Sequence, residues 1–344
     1  MGLAQHLRKR EVSLTVLSGH PEYTQQQTGI YSVQRKSLRK VVRAIAEHDV
    51  LVFGGGSIFQ DATSLRSLLY YSQLIFIAKR FGKKIILLGQ GIGPLRTLLG
   101  KKLARRAFNL VEGICVRDAD SSEQLKSLGI QVPYYLTADL AFLLEPHPMD
   151  PAEQAEPLVG LAPRPLASFP NQKLVHFWCA LAEKLQANGY RVIWIPMHPY
   201  MDQPLMDEIC HSMKVHNKKS RMMSETLLST FASLDSVIAM RLHAGILSVL
   251  HNNPAYMLSY DPKVVAFAKE MDLPYASLDP ELSPESVYQG FHAMRLQHYS
   301  HARGALEQRC NEMRARAYQN LEHLYSWLNL ETPNMLPTFK TPVR

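Results

Sequence analysis

Short apolar runs alternate with helical stretches along most of the chain, and this alternation leaves few folds open. Ser13–Leu17, Val50–Phe53, Ile85–Gly89, Gly113–Val116, Val159–Ala162, Arg191–Pro196, Ser236–Ala239 and Ala255–Ser259 read as strands. Helical patterns lie between them, such as Ser64–Phe81, where Leu65, Leu68, Leu69, Leu74 and Ile75 can face a core. Strands joined through helices pair in parallel with helices on both faces, so the fold class is α/β. A length of 344 residues suggests two domains of roughly 150 residues. The stretch Glu145–Pro157, EPHPMDPAEQAEP, has four prolines and no apolar periodicity, which marks it as the boundary. We therefore expect an N-terminal domain over 1–145, a linker over 146–157 and a C-terminal domain over 158–283, with a cleft between the halves. Helices over 284–330 should pack back across the domains, ahead of a loose tail over 331–344.

The formal net charge of +8 suits an anionic ligand, an anionic membrane surface or nucleic acid. No arginine run interleaved with aromatics and no RNP, zinc-finger or helix-turn-helix pattern appears, so no nucleic-acid partner is expected. Cys115, Cys179, Cys210 and Cys310 are widely spaced and form no CxxC pair, which reads as buried free thiols in a reducing cytoplasm, without a metal site. No run approaches the roughly 18 apolar residues of a membrane span, and MGLAQHLRKRE has no signal-peptide core. A cytoplasmic protein is expected, with any membrane contact peripheral, through basic patches and a lipid-borne substrate.

The chemistry concentrates in Ser236–Lys263. Arg241 and His243 stand two apart between a strand and a helix, and Lys263 follows the next strand. In an α/β chain such a strand mouth binds anions, because the following helix presents unpaired N–H groups and the positive end of its dipole. Arg241 and Lys263 supply charge, and imidazole is the side chain whose ordinary pKa lies nearest neutrality. A surface Arg and a capping His fit the spacing equally well. Gly54-Gly55-Gly56-Ser57, with Asp61 after it, and Gly89-Gln90-Gly91-Ile92-Gly93-Pro94 each follow a strand and could cradle an anion, or simply turn the chain. Arg117 and Asp118 follow a strand, with Asp118 a helix cap, and Asp139 stands before the boundary. Arg164 in LAPRP and His198 follow the first two strands of the second half.

With GGGSIFQD, LLGQGIGPL, VRDADS, LTADLAFLL, the PRP at Arg164, MRLHAGI and LSYDPKV in this order from about Leu17 to Lys269, the chain resembles the polysaccharide pyruvyltransferase family. It is most similar to the S-layer-anchoring ketal-pyruvyltransferase branch (CsaB type). The resemblance implies two Rossmann-like domains in a GT-B-like arrangement. It also implies transfer of the enolpyruvyl unit of phosphoenolpyruvate to a sugar, giving a 4,6-ketal and phosphate. The acceptor implied is N-acetylmannosamine on a lipid-diphosphate disaccharide, in cell-wall polysaccharide biosynthesis. Such proteins usually open with a strand and a GYYG…NxGDE-type loop, whereas this sequence opens in what reads as the first helix, so the N-terminal domain is expected to lack that strand and loop.

Phosphoenolpyruvate carries about three charges, which Arg241, Lys263, Arg164 and the following helix N-terminus can offset. His243 is the expected general acid toward the methylene carbon. Asp61 or Asp139 is the expected base, with Gln90, His198, Tyr260, Gly55, Gly56 and Arg117 holding sugar or phosphate. No cofactor and no metal is required, because fixed cations already offset the charge. A GT-B glycosyltransferase using a nucleotide sugar fits the same strand mouth, and a non-catalytic glycan or lipid-head-group binding protein is the third alternative.

Overall fold

A computed structural model describes residues 2–8, 12–61, 65–147, 156–166, 169–213, 227–297 and 303–331. The chain divides into two compact units, Met1–Leu144 with Met313–Arg344, and Glu145–Glu312. Residues 148–155 of the expected linker and 332–344 of the expected tail lie outside the described residues.

The first unit runs α1 (Gly2–Arg8), β1 (Val16–Ser18), α2 (Pro21–Thr28), β2 (Ser32–Gln34), α3 (Leu38–Glu47), β3 (Val50–Phe59), α4 (Leu65–Arg80), β4 (Lys84–Ile92), α5 (Leu98–Phe108), β5 (Gly113–Val116), α6 (Ala119–Ser127) and β6 (Tyr134–Leu136). A 3-10 turn follows at Leu140–Leu143. All pairings are parallel, in a four-stranded sheet β3-β4-β5-β6 and a separate pair β1-β2. An apolar groove of about 440 Å³ lies between α1, β1 and the open edge of β3. Beyond its first residue β4 is buried throughout, as a central parallel strand covered on both faces must be.

Two expectations need correction here. The glycine clusters are expected to follow short strands, as anion cradles or as turns, yet β3 continues through Gly54-Gly55-Gly56 to Phe59, and β4 through Gly89-Gln90-Gly91 to Ile92. Gly55 and Gly56 take φ of 84° and 93°, and Gly89 takes 55°, with register shifts beside them. Positive φ lets each strand bulge and then resume pairing, which L residues resist. The strands Ser32–Gln34 and Tyr134–Leu136 were not foreseen, being short and partly polar.

The second unit runs β7 (Leu158–Ala162), α7 (Asn171–Ala187), β8 (Arg191–Trp194), α8 (Pro199–Ser212), α9 (Leu227–Ala232), β9 (Ser236–Ala239), α10 (Leu242–Leu250), β10 (Ala255–Ser259), α11 (Pro262–Glu270), β11 (Tyr275–Ser277) and α12 (Pro284–Gln297). Its sheet is all parallel in the order β11-β10-β9-β7-β8, over a core holding Trp178, Leu181, Ile238, Leu258 and Phe291. The final helix α13 (Arg303–Leu328) passes from one unit to the other at Met313. In the first unit its Asn320 accepts from Gly89 N at 2.8 Å and donates to Ala138 O at 3.1 Å, while Arg316 donates to Thr137 O at 2.7 Å. Gly113 faces Trp327 so closely that a Cβ there would lie 2.1 Å from Cζ2.

Candidate functional site

In the second sheet the chain leaves β7 toward β8, then returns to the far side of β7 as β9 and moves outward through β10 and β11. The strand order therefore reverses between β7 and β9, and the carboxyl ends of strands at such a reversal form a ligand crevice. Arg164 follows β7 and Arg241 follows β9, so the expected cations sit on either side of that point. His198 follows β8, and Tyr260 and Lys263 follow β10.

Each side chain is held differently. Arg164 lies over the Tyr260 ring, its Cζ 4.5 Å from the centroid, and donates to the Tyr260 hydroxyl. Its Nε is buried with no hydrogen-bond partner, and no carboxylate pairs with it among the described residues. Burial raises the Tyr260 phenol above its ordinary pKa, although Arg164 pulls the other way. Arg241 is the N-cap residue of α10 and is itself paired with Asp202, an acid the sequence reading did not single out. Asp202 is completely buried, lies in the first turn of α8 and also accepts from His198 N at 2.8 Å. An acid early in a helix reads from sequence as a solvated dipole partner, so only the packing identifies it. His243 is an exposed residue in the first turn of α10. Lys263 Nζ lies 3.3 Å from Asp261 Oδ2, and Asp261 caps α11 by accepting from Lys263 N at 3.1 Å. The His198 imidazole is exposed and meets Tyr200 edge-on, with centroids 6.4 Å apart.

The first unit's candidates are committed to its own architecture. Asp61 accepts from Arg96 N at 2.6 Å, Thr97 N at 2.9 Å and the Thr97 hydroxyl at 2.5 Å. Burial opposes ionisation, but those bonds prevail and hold the carboxyl below its usual pKa, which makes Asp61 a weak base. Asp139 is buried, pairs with Arg117 at 2.7 Å and accepts from Ala141 N at 3.0 Å. Arg117 is buried too and donates to Ser57 Oγ at 2.7 Å, tying β5 to the bulge of β3. Gln90 points into the sheet, where its Nε2 donates to Phe53 O, Gly55 O and Leu88 O. In this structure Gln90, Arg117 and Asp139 brace the bulged strands and the turn after β6, and Asp61 holds the start of α5, while Gln90 Oε1 is buried without a hydrogen-bond partner among the described residues.

No helix of the described residues is long and apolar enough to cross a membrane. The four cysteines are unbridged. Burial pushes the Cys179 thiol up to about 11, which leaves it protonated near neutrality.

In overall architecture the chain is similar to a glycosyltransferase from Rickettsia africae ESF-5, with a TM-score of 0.58 at 11% identity, covering 96% of this chain and 94% of that one. It is also similar to a putative UDP-N-acetylglucosamine 2-epimerase from Listeria monocytogenes, with a TM-score of 0.61 at 10% identity and the same coverage. These likenesses show the fold, two Rossmann-like α/β units of GT-B-like type. In sequence it is 23% identical over 269 residues to the amylovoran biosynthesis protein AmsJ of Erwinia amylovora, an alignment spanning 70% of this chain and 64% of that protein's length. The family model described as polysaccharide pyruvyl transferase matches residues 1–262, a span that takes in β1 to β10 and the Arg164, Arg241 and Tyr260 cluster at the strand reversal. The chain belongs to the polysaccharide pyruvyl transferase family.

Proposed function

We propose that this protein is a ketal pyruvyltransferase that moves the enolpyruvyl unit of phosphoenolpyruvate onto a sugar of a growing polysaccharide. The observation that carries the reading is Arg164, a part-buried guanidinium at the strand reversal whose Nε has no hydrogen-bond partner among the described residues. A buried donor left unpaired costs about 1–3 kcal/mol, more when charged, and an anionic substrate group removes that cost. Arg164 takes the phosphate or carboxylate of phosphoenolpyruvate, Arg241 presents its remaining N–H groups beside it, and Lys263 completes the charge complement.

His243, exposed at the same helix start, gives a proton to C3 of phosphoenolpyruvate. The C2 centre then accepts the first sugar hydroxyl, whose proton returns to His243. Loss of phosphate reopens C2 to the second hydroxyl, whose proton leaves with the phosphate, so the products are the 4,6-ketal and inorganic phosphate. This sequence needs no carboxylate base from the first unit, in keeping with the engagement of Asp61 and Asp139. It also needs no metal or cofactor. The acceptor proposed is a β-linked N-acetylmannosamine on a lipid-diphosphate disaccharide, the S-layer-anchoring branch of the family, with the enzyme working in the cytoplasm at the inner membrane face.

The test mixes the purified chain with phosphoenolpyruvate and that disaccharide, in parallel with nucleotide sugars. Phosphate release that requires both substrates, with the acceptor gaining one pyruvate less one water, is the expected result. Nucleotide release from a nucleotide sugar, or acceptor binding without turnover, overturns the reading.

A further inference from the structure

Arg241 differs from Arg164 in a way that bears on how the site handles charge. Its Nε donates to Asp202 Oδ2 at 3.2 Å, and Nη2 donates to Asp202 Oδ1, so one edge of the guanidinium is taken up side-on by a single carboxylate. Nη1 has no protein acceptor among the described residues. The Asp202 side chain is completely buried, while the Arg241 side chain keeps a fraction of its surface exposed. Asp202 also accepts from His198 N at 2.8 Å, and His198 follows β8 whereas Arg241 follows β9. Those strands flank β7, so Asp202 links the two loops on either side of Arg164.

We propose that Asp202 is a positioning residue for the anion site, holding Arg241 as a rigid fork beside Arg164 while cancelling its net charge. This deepens the pyruvyl-transfer reading above and rests on it only for the identity of the anion. A cation paired with a buried acid adds little long-range attraction, so the site's excess positive charge lies on Arg164. Arg241 then contributes directed N–H donors, whose value depends on the angle at which they are held. A long side chain released from that clasp regains rotamer freedom that ligand binding must remove again.

Charge and positioning predict opposite signs for one substitution. Asp202→Asn keeps the shape and an acceptor for His198 N, and it gives the site one more positive charge. If charge alone governed binding, the variant would hold anions more tightly. If Asp202 positions Arg241, the variant binds phosphoenolpyruvate and inorganic phosphate about 10–100-fold more weakly, the scale of charged hydrogen bonds lost to misalignment. KM for phosphoenolpyruvate rises by a similar factor, and KM for the acceptor stays within about twofold.

Calorimetric titration of the full chain with each anion reads this directly, with thermal melting to confirm that the variant is folded. Arg241→Lys provides a second route should Asp202→Asn fail to fold, because a single ammonium cannot reproduce the side-on clasp and loses affinity to the same degree. In the double variant the losses are less than additive. Unchanged or tighter anion binding in folded Asp202→Asn overturns the proposal, as does additive loss in the double variant. Phosphate binding that weakens as stated in a protein indifferent to phosphoenolpyruvate leaves the positioning role standing and removes the pyruvyl-transfer reading instead.

Discussion

A guanidinium half-buried at a strand terminus has to recover its hydration from somewhere, and the three cations at this strand reversal do so differently. Arg241 uses Asp202, Lys263 uses Asp261, and Arg164, among the described residues, uses the face and hydroxyl of Tyr260. An incoming anion therefore gains most from Arg164. His243 lies in the first turn of α10. Its replacement by Ala is expected to lower kcat by roughly a hundredfold, the scale of a lost general acid, with phosphoenolpyruvate binding preserved. Steady-state kinetics with calorimetric binding separates this from a capping role, in which kcat stays near that of the wild type. Lys263→Met is expected to raise KM for phosphoenolpyruvate by a severalfold factor smaller than that for Arg164, since Asp261 already offsets its charge. An unchanged KM removes Lys263 from the site.

At the scale of elements, the central strands β4, β7, β9 and β10 were legible because burial on both faces makes them continuous apolar runs. The edge strands β2, β6 and β11 were not, since three residues are too few to show a period. That the C-terminal helices pack back is expected from the sequence, whereas the contacts made by Asn320 and Trp327 are not, because helical periodicity reports an apolar face and not the partner that covers it. Gly113→Ala tests that packing. A Cβ forced against Trp327 costs about 1–3 kcal/mol, read by denaturant unfolding, and Trp327→Leu in the same chain recovers part of the loss. Full additivity would mean that the two residues do not meet. The end of α10 carries a pH dependence. His251 is buried, bonds Leu247 O through Nδ1 at 2.8 Å and accepts from His147 N at 3.1 Å through Nε2, and burial lowers its pKa despite the Leu247 bond. Below about pH 6.5 the unfolded chain binds a proton that the folded chain resists, so this contribution is whole above that pH and is lost as pH falls toward the lowered folded value. Melting between pH 8 and 5 should show a decline that is shallower in His251→Gln, and equal slopes would exclude His251 as its source.

For the whole molecule, the GT-B-like fold and the family were accessible from the order of motifs, whereas the division of labour among the site residues was not. Gln90, Asp61, Asp139 and Arg117 carry polar side chains beside glycine-rich segments, a pattern shared by ligand loops and by braced β-bulges. Only the hydrogen-bond partners separate the two. The chemistry of the second unit concentrates where its strand order reverses, and the measurement that bears on this most directly is calorimetric titration of phosphoenolpyruvate into the intact chain and into Arg164→Met. The methionine keeps much of the apolar stem and removes the charge and its N–H groups. Saturable binding to the intact chain, weakened at least about tenfold in folded Arg164→Met, is the predicted result. Equal affinity in the two proteins, or no binding of phosphoenolpyruvate by the intact chain, would contradict the assignment of the strand reversal as the donor site.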